Sequence, residues 1–297
     1  IDLSHLDSLP DAQQEQVRRM LLRRYRTMQR DESDVGMTDW AVHDIELRPG
    51  SEPTAEPQRH YPLHKREKIL ETVRDLEDRD IIEKASSAWR SFPTLAKKKN
   101  SEGEWEEAKR VCMDLRSLNA KTVKHARLLP KVSEVVNSLT SSKYFTKLDL
   151  AGAYHQVPLT ERAKDTTSFA VPGGSLYRYR SMCFGLVNAG ATFQALMDSV
   201  LAELSWNIVI CYIDDVIVFS NSFDDHLRDV ELVLERLELA GLKAKPSKCA
   251  FFVDRVEILG HVVTEHGVQP EDHKVEAVKC WPVPTCVKEL QSFLAFA

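Results

Sequence analysis

Hydrophobic residues make up 43% and charged residues 29% of this 297-residue chain, values near the globular average that exclude a wholly disordered or membrane-embedded protein. No apolar run is long enough to span a bilayer, and the N-terminus lacks the residue order of a secretory signal, so we expect an intracellular, cytoplasmic location. The six cysteines form no C-x-x-C pair and no Cys/His spacing suited to zinc, and most of them lie in apolar stretches, which predicts reduced structural thiols that mostly pack as core residues.

The net charge of −5 is distributed unevenly along the chain. Residues 1–60 contain eight Lys and Arg against twelve Asp and Glu, whereas residues 97–131 contain ten against five. Neutralisation of phosphates dominates nucleic-acid affinity, and the local distribution of charge matters more than its sum. The basic segment is therefore a candidate nucleic-acid surface.

The first sixty residues predict a helix followed by a linker. Apolar residues recur on one face between residues 10 and 30, namely Val17, Met20, Leu21 and Tyr25. The arginines of this helix are expected to line a solvated face. Residues 48–58 are rich in Pro, Glu and small residues, which predicts an extended linker.

A second helix is predicted over residues 62–84, where charged residues separate an apolar series at helical spacing. The series comprises Ile69, Val73, Leu76 and Ile81 or Ile82. We then expect a strand over residues 92–99 that runs into a basic turn, a second strand that contains Arg110, and a short amphipathic helix over residues 129–142.

Turn and cap signals divide the next part of the chain. Residues 168–182 alternate as a hairpin around Pro172, Gly173 and Gly174. An apolar stripe predicts a helix over residues 191–204. Ser222 is expected to cap a further helix that ends at Gly241.

Two adjacent carboxylates interrupt the apolar stretch from Ile208 to Ser220, which reads I-V-I-C-Y-I-D-D-V-I-V-F-S. The flanking β-branched residues favour buried strands, and Asp tolerates turn geometry, so Asp214 and Asp215 are predicted at the tip of a hairpin. Most Asp-Asp pairs between strands are ordinary polar turn residues. A functional role for this pair depends on the rest of the sequence.

A second apolar segment, residues 143–159, contains a single acidic residue and supports a functional role for the pair. Asp149 follows an alternating stretch and precedes a turn of small residues, so it too is predicted near the end of a strand. Three carboxylates that converge from neighbouring strands can bind divalent cations, and two such ions support in-line phosphoryl transfer. This is the chemistry of nucleotide addition.

Six motifs in order resemble the palm of reverse transcriptases, specifically those of Gypsy-type LTR retrotransposon Pol polyproteins. They are V-C-M-D-L-R-S-L-N from residue 111, L-D-L-A-G-A-Y-H-Q-V from 148, F-G-L-V-N-A-G-A-T-F-Q from 184, Y-I-D-D from 212, K-C-A-F-F from 248 and I-L-G-H-V-V from 258. The likeness extends from about residue 63 to the C-terminus.

The resemblance implies an α+β right-hand polymerase with fingers, a palm of antiparallel sheet backed by helices, and a partial thumb. Residues 1–60 would be the N-terminal helix and linker, residues 61–269 the fingers and palm, and residues 270–297 the start of a truncated thumb. A hairpin over residues 258–268 resembles the primer grip.

The same resemblance implies an RNA-directed DNA polymerase with a site of known layout. Asp149, Asp214 and Asp215 would be catalytic and would bind two Mg²⁺ or Mn²⁺ ions with the backbone carbonyl of Leu150. Nucleotide contacts would come from Lys98, Arg110, Ala153, Tyr154, Phe184 and Lys248. Template and primer contacts would come from Asp114, Arg116, Asn119, Gly185, Tyr212, Leu259 and Gly260.

The implied partners are RNA and DNA templates, a nucleic-acid primer and deoxynucleoside triphosphates, without a membrane. RNase H and integrase domains would belong to the same polyprotein, and the enzyme would act in cytoplasmic virus-like particles. The alternative is a domesticated palm that serves as an RNA-binding or assembly module. A metal-dependent nuclease is a weaker alternative because no water-activating base is evident.

Overall fold

A computed structural model describes residues 6–7, 9–99, 105–127 and 130–296, without the side chains of residues 96–99, 105–110, 272–274, 295 and 296. Helices and antiparallel strands alternate along the chain. The helices are α1 (Asp11–Arg23), α2 (Leu63–Asp78), α3 (Arg116–Lys121), α4 (Val132–Leu139), α5 (Glu161–Thr166), α6 (Ala189–Leu201), α7 (Phe223–Leu239), α8 (Asp272–Lys279) and α9 (Val287–Phe296).

The strands form small antiparallel sheets. They are β1 (Ile82–Lys84), β2 (Pro93–Lys99), β3 (Trp105–Met113), β4 (Tyr144–Asp149), β5 (Phe169–Ala170), β6 (Leu176–Tyr179), β7 (Val209–Tyr212), β8 (Asp215–Ser220), β9 (Ala250–Val253), β10 (Arg255–Ile258), β11 (His261–Thr264) and β12 (Gly267–Pro270). In the described part of the chain, no helix is long and apolar enough to cross a membrane.

A central sheet in the order β7-β8-β4-β9 organises the molecule, and both of its faces are buried. Because side chains alternate across a strand, each strand contributes to two cores. Leu148, Val216 and Val218 join a large core shared with α6 and α7, whereas Phe145 and Ile217 join a smaller core on the opposite face. The smaller core is closed by α4 and the meander β10-β11-β12.

The predicted hairpin around the adjacent carboxylates is confirmed as β7 and β8. The predicted cap of α7 is confirmed as well, since the Ser222 hydroxyl accepts a hydrogen bond from the backbone N–H of Asp225. Gly241 follows the helix at φ +68°, in the left-handed region that glycine adopts at little cost.

The first predicted helix is shorter than expected. It ends at Arg23 and passes through a 3₁₀ turn into extended chain, because Met28 pairs with Ala244 across a β-bridge. Val17, Met20 and Leu21 are buried as predicted, but Tyr25 is exposed.

The predicted solvated arginine face is confirmed for Arg23, whose side chain is 57% exposed, but is wrong for Arg24, whose side chain is only 22% exposed. Arg23 and Arg24 form ion pairs with α7, and their partners are Glu231, Glu235 and Glu238. These pairs fix the N-terminal segment to α7.

The second predicted helix also ends early. Asp80 adopts φ +57°, which stops α2, and Ile82–Lys84 instead pairs with β6 as β1. The predicted hairpin at residues 258–268 is part of the three-stranded meander that begins at Arg255. As predicted for most of the thiols, Cys183, Cys211 and Cys249 are buried and Cys112 is partly buried, whereas Cys280 and Cys286 are exposed.

Residues 28–38 form a strap that lies against the loop after α7, which contains Lys243 and Lys245. Asp34 pairs with Lys243, and Glu32 Oε1 lies 2.7 Å from Lys245 Nζ. The backbone N–H of Lys245 in turn donates to the carbonyl of Asp149 at 2.7 Å. The strap therefore braces the loop that holds the end of β4.

Gly36 lies at the closest approach of this strap. A Cβ atom there would overlap the Gln156 side chain and would lie 2.8 Å from the carbonyl oxygen of Gly241. The backbone of Gly36 is not in the left-handed region, so its substitution tests space alone.

We expect Gly36→Ala to lower the free energy of unfolding by about 1–3 kcal/mol, the usual cost of overpacking. Chemical denaturation measures this change. Gly190→Ala is the control, because a Cβ atom there meets only an ordinary contact at 3.7 Å and alanine favours a helix. Equal stability of the parent and Gly36→Ala would show that the strap is not held against Gln156.

Candidate active site

The three predicted carboxylates lie at one end of the central sheet. Asp149 ends β4 and Asp215 begins β8, and the two residues are directly opposite in the antiparallel register. Asp214 occupies the turn between β7 and β8, and Tyr212 pairs with Asp215. Directly opposite residues have Cβ atoms about 4.5–5.5 Å apart, so the register alone brings Asp149 and Asp215 together.

The turn that presents Asp214 is strained at Ile213, whose φ is +55°. A β-branched residue rarely adopts this conformation, and the surrounding structure must hold it. The buried side chain of Gln194 does so: its Oε1 accepts the N–H of Ile213 at 2.9 Å, and its Nε2 donates to the carbonyl of Cys211 at 3.2 Å. Gln194 was not among the predicted site residues, although a buried glutamine on the apolar face of α6 is the signal that could have found it.

Two lysines lie against the carboxylates. Lys147 Nζ is 2.8 Å from Asp215 Oδ1, and Lys248 Nζ donates to Asp149 Oδ2 at 3.2 Å. Asp214 has no comparable ion pair among the described residues. Partial desolvation and the charges of Asp149 and Asp215 raise the pKa of Asp214, so the negative charges are close enough to interact.

These three carboxylates are oxygen donors that could hold a hard divalent cation. Carboxylate oxygens are the ligands that hard divalent cations prefer, and burial together with the charges of Asp149 and Asp215 raises the pKa of Asp214. The ammonium groups of Lys147 and Lys248 supply positive charge to Asp215 and Asp149. In the described part of the chain, no group of three His, Cys, Asp or Glu side chains is arranged to hold a metal ion, and Asp215 and Asp149 are instead paired with Lys147 and Lys248.

An aromatic cluster adjoins the carboxylates. The half-buried ring of Tyr154 lies 5.2 Å from that of Phe184 and 5.8 Å from that of Phe193, measured between centroids. Burial and the charge of Asp214 raise the pKa of Tyr154. Phe184 is exposed, whereas Ala153 is buried beside Tyr154. The cluster therefore forms a platform next to Asp214.

Two of the predicted triphosphate ligands are on the β2-β3 hairpin. Lys98 is opposite Glu106, and Lys97 is opposite Glu107, so basic positions of β2 face acidic positions of β3. Arg110 is on β3. The side chains of Lys98 and Arg110 lie outside the described part of the structure, and their roles stay predictions.

The predicted template residues form a separate polar group. Arg116 binds Asp114 through two nitrogens at 2.8 and 2.7 Å, and Arg59 donates to the same carboxylate at 2.6 Å. Asn119 Nδ2 donates to the carbonyl of Gly185 at 2.7 Å. Gly185 has φ +93°, so this turn requires glycine. Arg59 was not predicted, since only the folded chain places it beside Asp114.

The predicted primer contacts border the smaller core. Leu259 and Gly260 form the β10-β11 turn with φ values of +51° and +80°. Tyr212 and Leu259 both pack against the smaller core. Leu150 is buried next to Asp149, so only its backbone could reach a metal ion.

We expect Gln194→Met to destabilise the chain by about 1–3 kcal/mol, because the N–H of Ile213 and the carbonyl of Cys211 lose their partner. Urea denaturation measures the free energy of unfolding. Gln269→Met on the exposed strand β12 is the matched control and should change stability little. Similar values for the two variants would contradict the role of Gln194 in holding the turn.

Comparison with known proteins shows the family of this chain. A family model described as "Reverse transcriptase (RNA-dependent DNA polymerase)" matches residues 96–263. The chain is 35% identical over 238 residues, 80% of its length, to the retrovirus-related Pol polyprotein from transposon 297 of Drosophila melanogaster. It is 36% identical over 225 residues, 76% of its length, to that from transposon gypsy of the same organism. It spans 22% of each of these relatives.

Solved structures match the fold over nearly the whole chain. The foamy viral protease-reverse transcriptase in complex with RNA/DNA hybrid aligns with a TM-score of 0.82 at 21% identity, covering 97% of this chain and 38% of that one. Its complex with dsDNA gives the same score and covers 59% of that chain. The predicted α+β right-hand polymerase fold is thus confirmed. The chain belongs to the reverse transcriptase family, and its relatives are Pol polyproteins of Gypsy-type LTR retrotransposons.

Proposed function

We propose that the chain is the core of an RNA-directed DNA polymerase that adds deoxynucleotides to a primer 3′-hydroxyl and replicates a retrotransposon genome. The observation that supports this proposal most directly is the convergence of Asp149, Asp214 and Asp215 at one end of the central sheet. The family supports the reaction class, and this cluster supports the chemical step.

Asp149, Asp214 and Asp215, with the carbonyl of Leu150, would hold two Mg²⁺ ions, or Mn²⁺ in their place. When bound, the ions would activate the attacking oxygen and stabilise the leaving one. Lys147 and Lys248 would release their carboxylates as the ions bind. Lys248 is then free to neutralise a phosphate, together with Lys98 and Arg110.

The remaining side chains bind and orient the substrates. Tyr154 and Phe184 would support the sugar and base of the incoming nucleotide, beside Ala153. Tyr212, Leu259 and Gly260 would hold the primer end. Template contacts are assigned to four residues, namely Asp114, Arg116, Asn119 and Gly185.

We propose the same division of the chain that the motifs imply. Residues 1–60 precede the fingers and palm of residues 61–269, and residues 270–297 begin the thumb. RNA, DNA and deoxynucleoside triphosphates are the proposed partners, and RNase H and integrase domains would accompany this core in the Pol polyprotein. Its relatives favour a place inside cytoplasmic virus-like particles.

The double variant Asp214→Asn/Asp215→Asn is expected to lose primer extension on an RNA template by more than about 10²-fold, since even groups that only orient metal ligands cost 10–100-fold. Extension with Mg²⁺ and deoxynucleotides measures this loss. The matched control is Asp224→Asn/Asp225→Asn, another adjacent acid pair, at the start of α7. This control should retain extension.

Extension that survives in the Asp214/Asp215 variant would refute the assigned metal site. If the parent binds primer–template but extends no primer, even with further C-terminal polyprotein sequence attached, the RNA-binding or assembly module becomes the better function. Cleavage of nucleic acid without incorporation would instead indicate a nuclease.

Tyr154→Ala is expected to raise ribonucleotide incorporation relative to deoxynucleotide incorporation by about 10-fold or more, because removing the ring opens the space that a 2′-hydroxyl would fill. Competing incorporation of the two nucleotides measures the ratio. Tyr154→Phe keeps the ring and its contact with Phe184, so it should retain discrimination. Full discrimination by Tyr154→Ala would refute this role.

A further inference from the structure

Lys147 lies at the border between the smaller core and the carboxylates. It belongs to β4, two residues before Asp149, and pairs with Ile217 on β8. On this face of β4, Phe145 is in the apolar core and Asp149 is in the acidic cluster, with Lys147 between them. Its side chain is 28% exposed. An apolar residue at this position would extend the core, so the charge requires an explanation.

The Lys147 ammonium group contacts two elements at once. Nζ lies 2.8 Å from Asp215 Oδ1 and donates to the backbone carbonyl of Glu257 at 2.9 Å. Glu257 is on β10, two residues before Leu259. A single cation therefore links a catalytic carboxylate to the strand that leads into the Leu259–Gly260 turn.

Apolar packing alone does not set the distance between the Leu259–Gly260 turn and the three carboxylates. The β10-β11-β12 meander is held against the sheet through the smaller core, by residues such as Val256, Ile258 and Val263. Burial of apolar surface is non-directional and tolerates small sliding movements. A hydrogen bond has a preferred length and angle, and a charged donor makes it stronger.

We propose that Lys147 is a positioning residue that sets the distance between the primer-holding turn and the metal-binding carboxylates. The inference rests on the proposed function, which assigns the primer end to Leu259 and Gly260. Lys147 would hold Asp215 before metal binding and would stay attached to Glu257 afterwards. The primer-holding turn therefore stays anchored when the carboxylates exchange their partners.

This arrangement links metal binding to the position of the turn. A divalent cation and the Lys147 ammonium group compete for the charge of Asp215, so removing the ammonium group favours the cation. The same removal frees β10 from its link to β4. If Lys147 had a purely structural role, its removal would loosen the palm in general and would weaken metal binding instead.

Lys147→Met tests the proposal because it keeps most of the aliphatic stem and removes the ammonium group. Lys143→Met is the matched control, since Lys143 is exposed just before β4. Lys147→Arg, which keeps a cation and N–H donors, tests rescue. Two measurements use the protein without nucleic acid or nucleotides: hydrogen exchange of residues 255–264 and titration with Mn²⁺. A third measures primer extension against primer–template affinity.

In Lys147→Met we expect exchange of residues 255–264 to accelerate by about 5-fold or more and Mn²⁺ to bind about 2–5-fold more tightly, the range expected when a partly exposed ion pair is removed. Primer extension should fall by about 10-fold or more while the Kd for primer–template changes less than 2-fold. Lys147→Arg should restore protection, and Lys143→Met should resemble the parent.

Unchanged exchange of residues 255–264 in Lys147→Met overturns the proposal, and so does unchanged or weaker Mn²⁺ binding. Equal effects in Lys143→Met overturn it as well. Exchange and Mn²⁺ binding report on Lys147 even if the parent extends no primer. Failure of this inference is therefore distinguishable from failure of the proposed polymerase function.

Discussion

Mutual repulsion among three carboxylates is the constraint on which the rest of this structure depends. Asp149 and Asp215 are directly opposite on neighbouring strands, with Asp214 in the adjoining turn. Like charges directly opposite in a sheet destabilise it. The sheet tolerates the cluster because both of its faces are buried, and because Lys147 and Lys248 supply opposite charge. The architecture thus holds three mutually repelling carboxylates together at one end of the sheet, as the proposed metal site requires.

Support for the cluster comes from segments that are distant in sequence. The strap at residues 28–38 braces the loop whose Lys245 N–H donates to the Asp149 carbonyl, and α6 supplies the Gln194 contact to the strained Ile213. Backbone strain persists only where the surrounding structure over-determines it. The strap at residues 28–38 is therefore part of the folded structure that supports the carboxylates.

Local signals in the sequence predict much of the fold and of the site. The β7-β8 hairpin, the cap of α7 and the position of Asp149 follow from strand propensity, turn chemistry and capping, which act within a few residues. The end of α2 at Asp80, the ion pairs of Arg24 and the contact of Arg59 with Asp114 depend on partners far along the chain. Periodicity cannot identify such partners. The sequence therefore identified the acidic residues and Lys248, whereas Lys147, Gln194 and the pairing of Lys248 with Asp149 required the structure.

The weakness of the lysine pairs is compatible with their role. The side chains of Lys147 and Lys248 are 28% and 55% exposed, and ion pairs with such access to water contribute only about 0–1 kcal/mol. A deeply buried pair would hold the carboxylates too firmly, since breaking one costs about 3–5 kcal/mol. A divalent ion carries twice the charge of an ammonium group and can bind several carboxylates at once. Lysines at this level of exposure can therefore stabilise the acidic cluster without blocking the ions that the cluster is suited to bind.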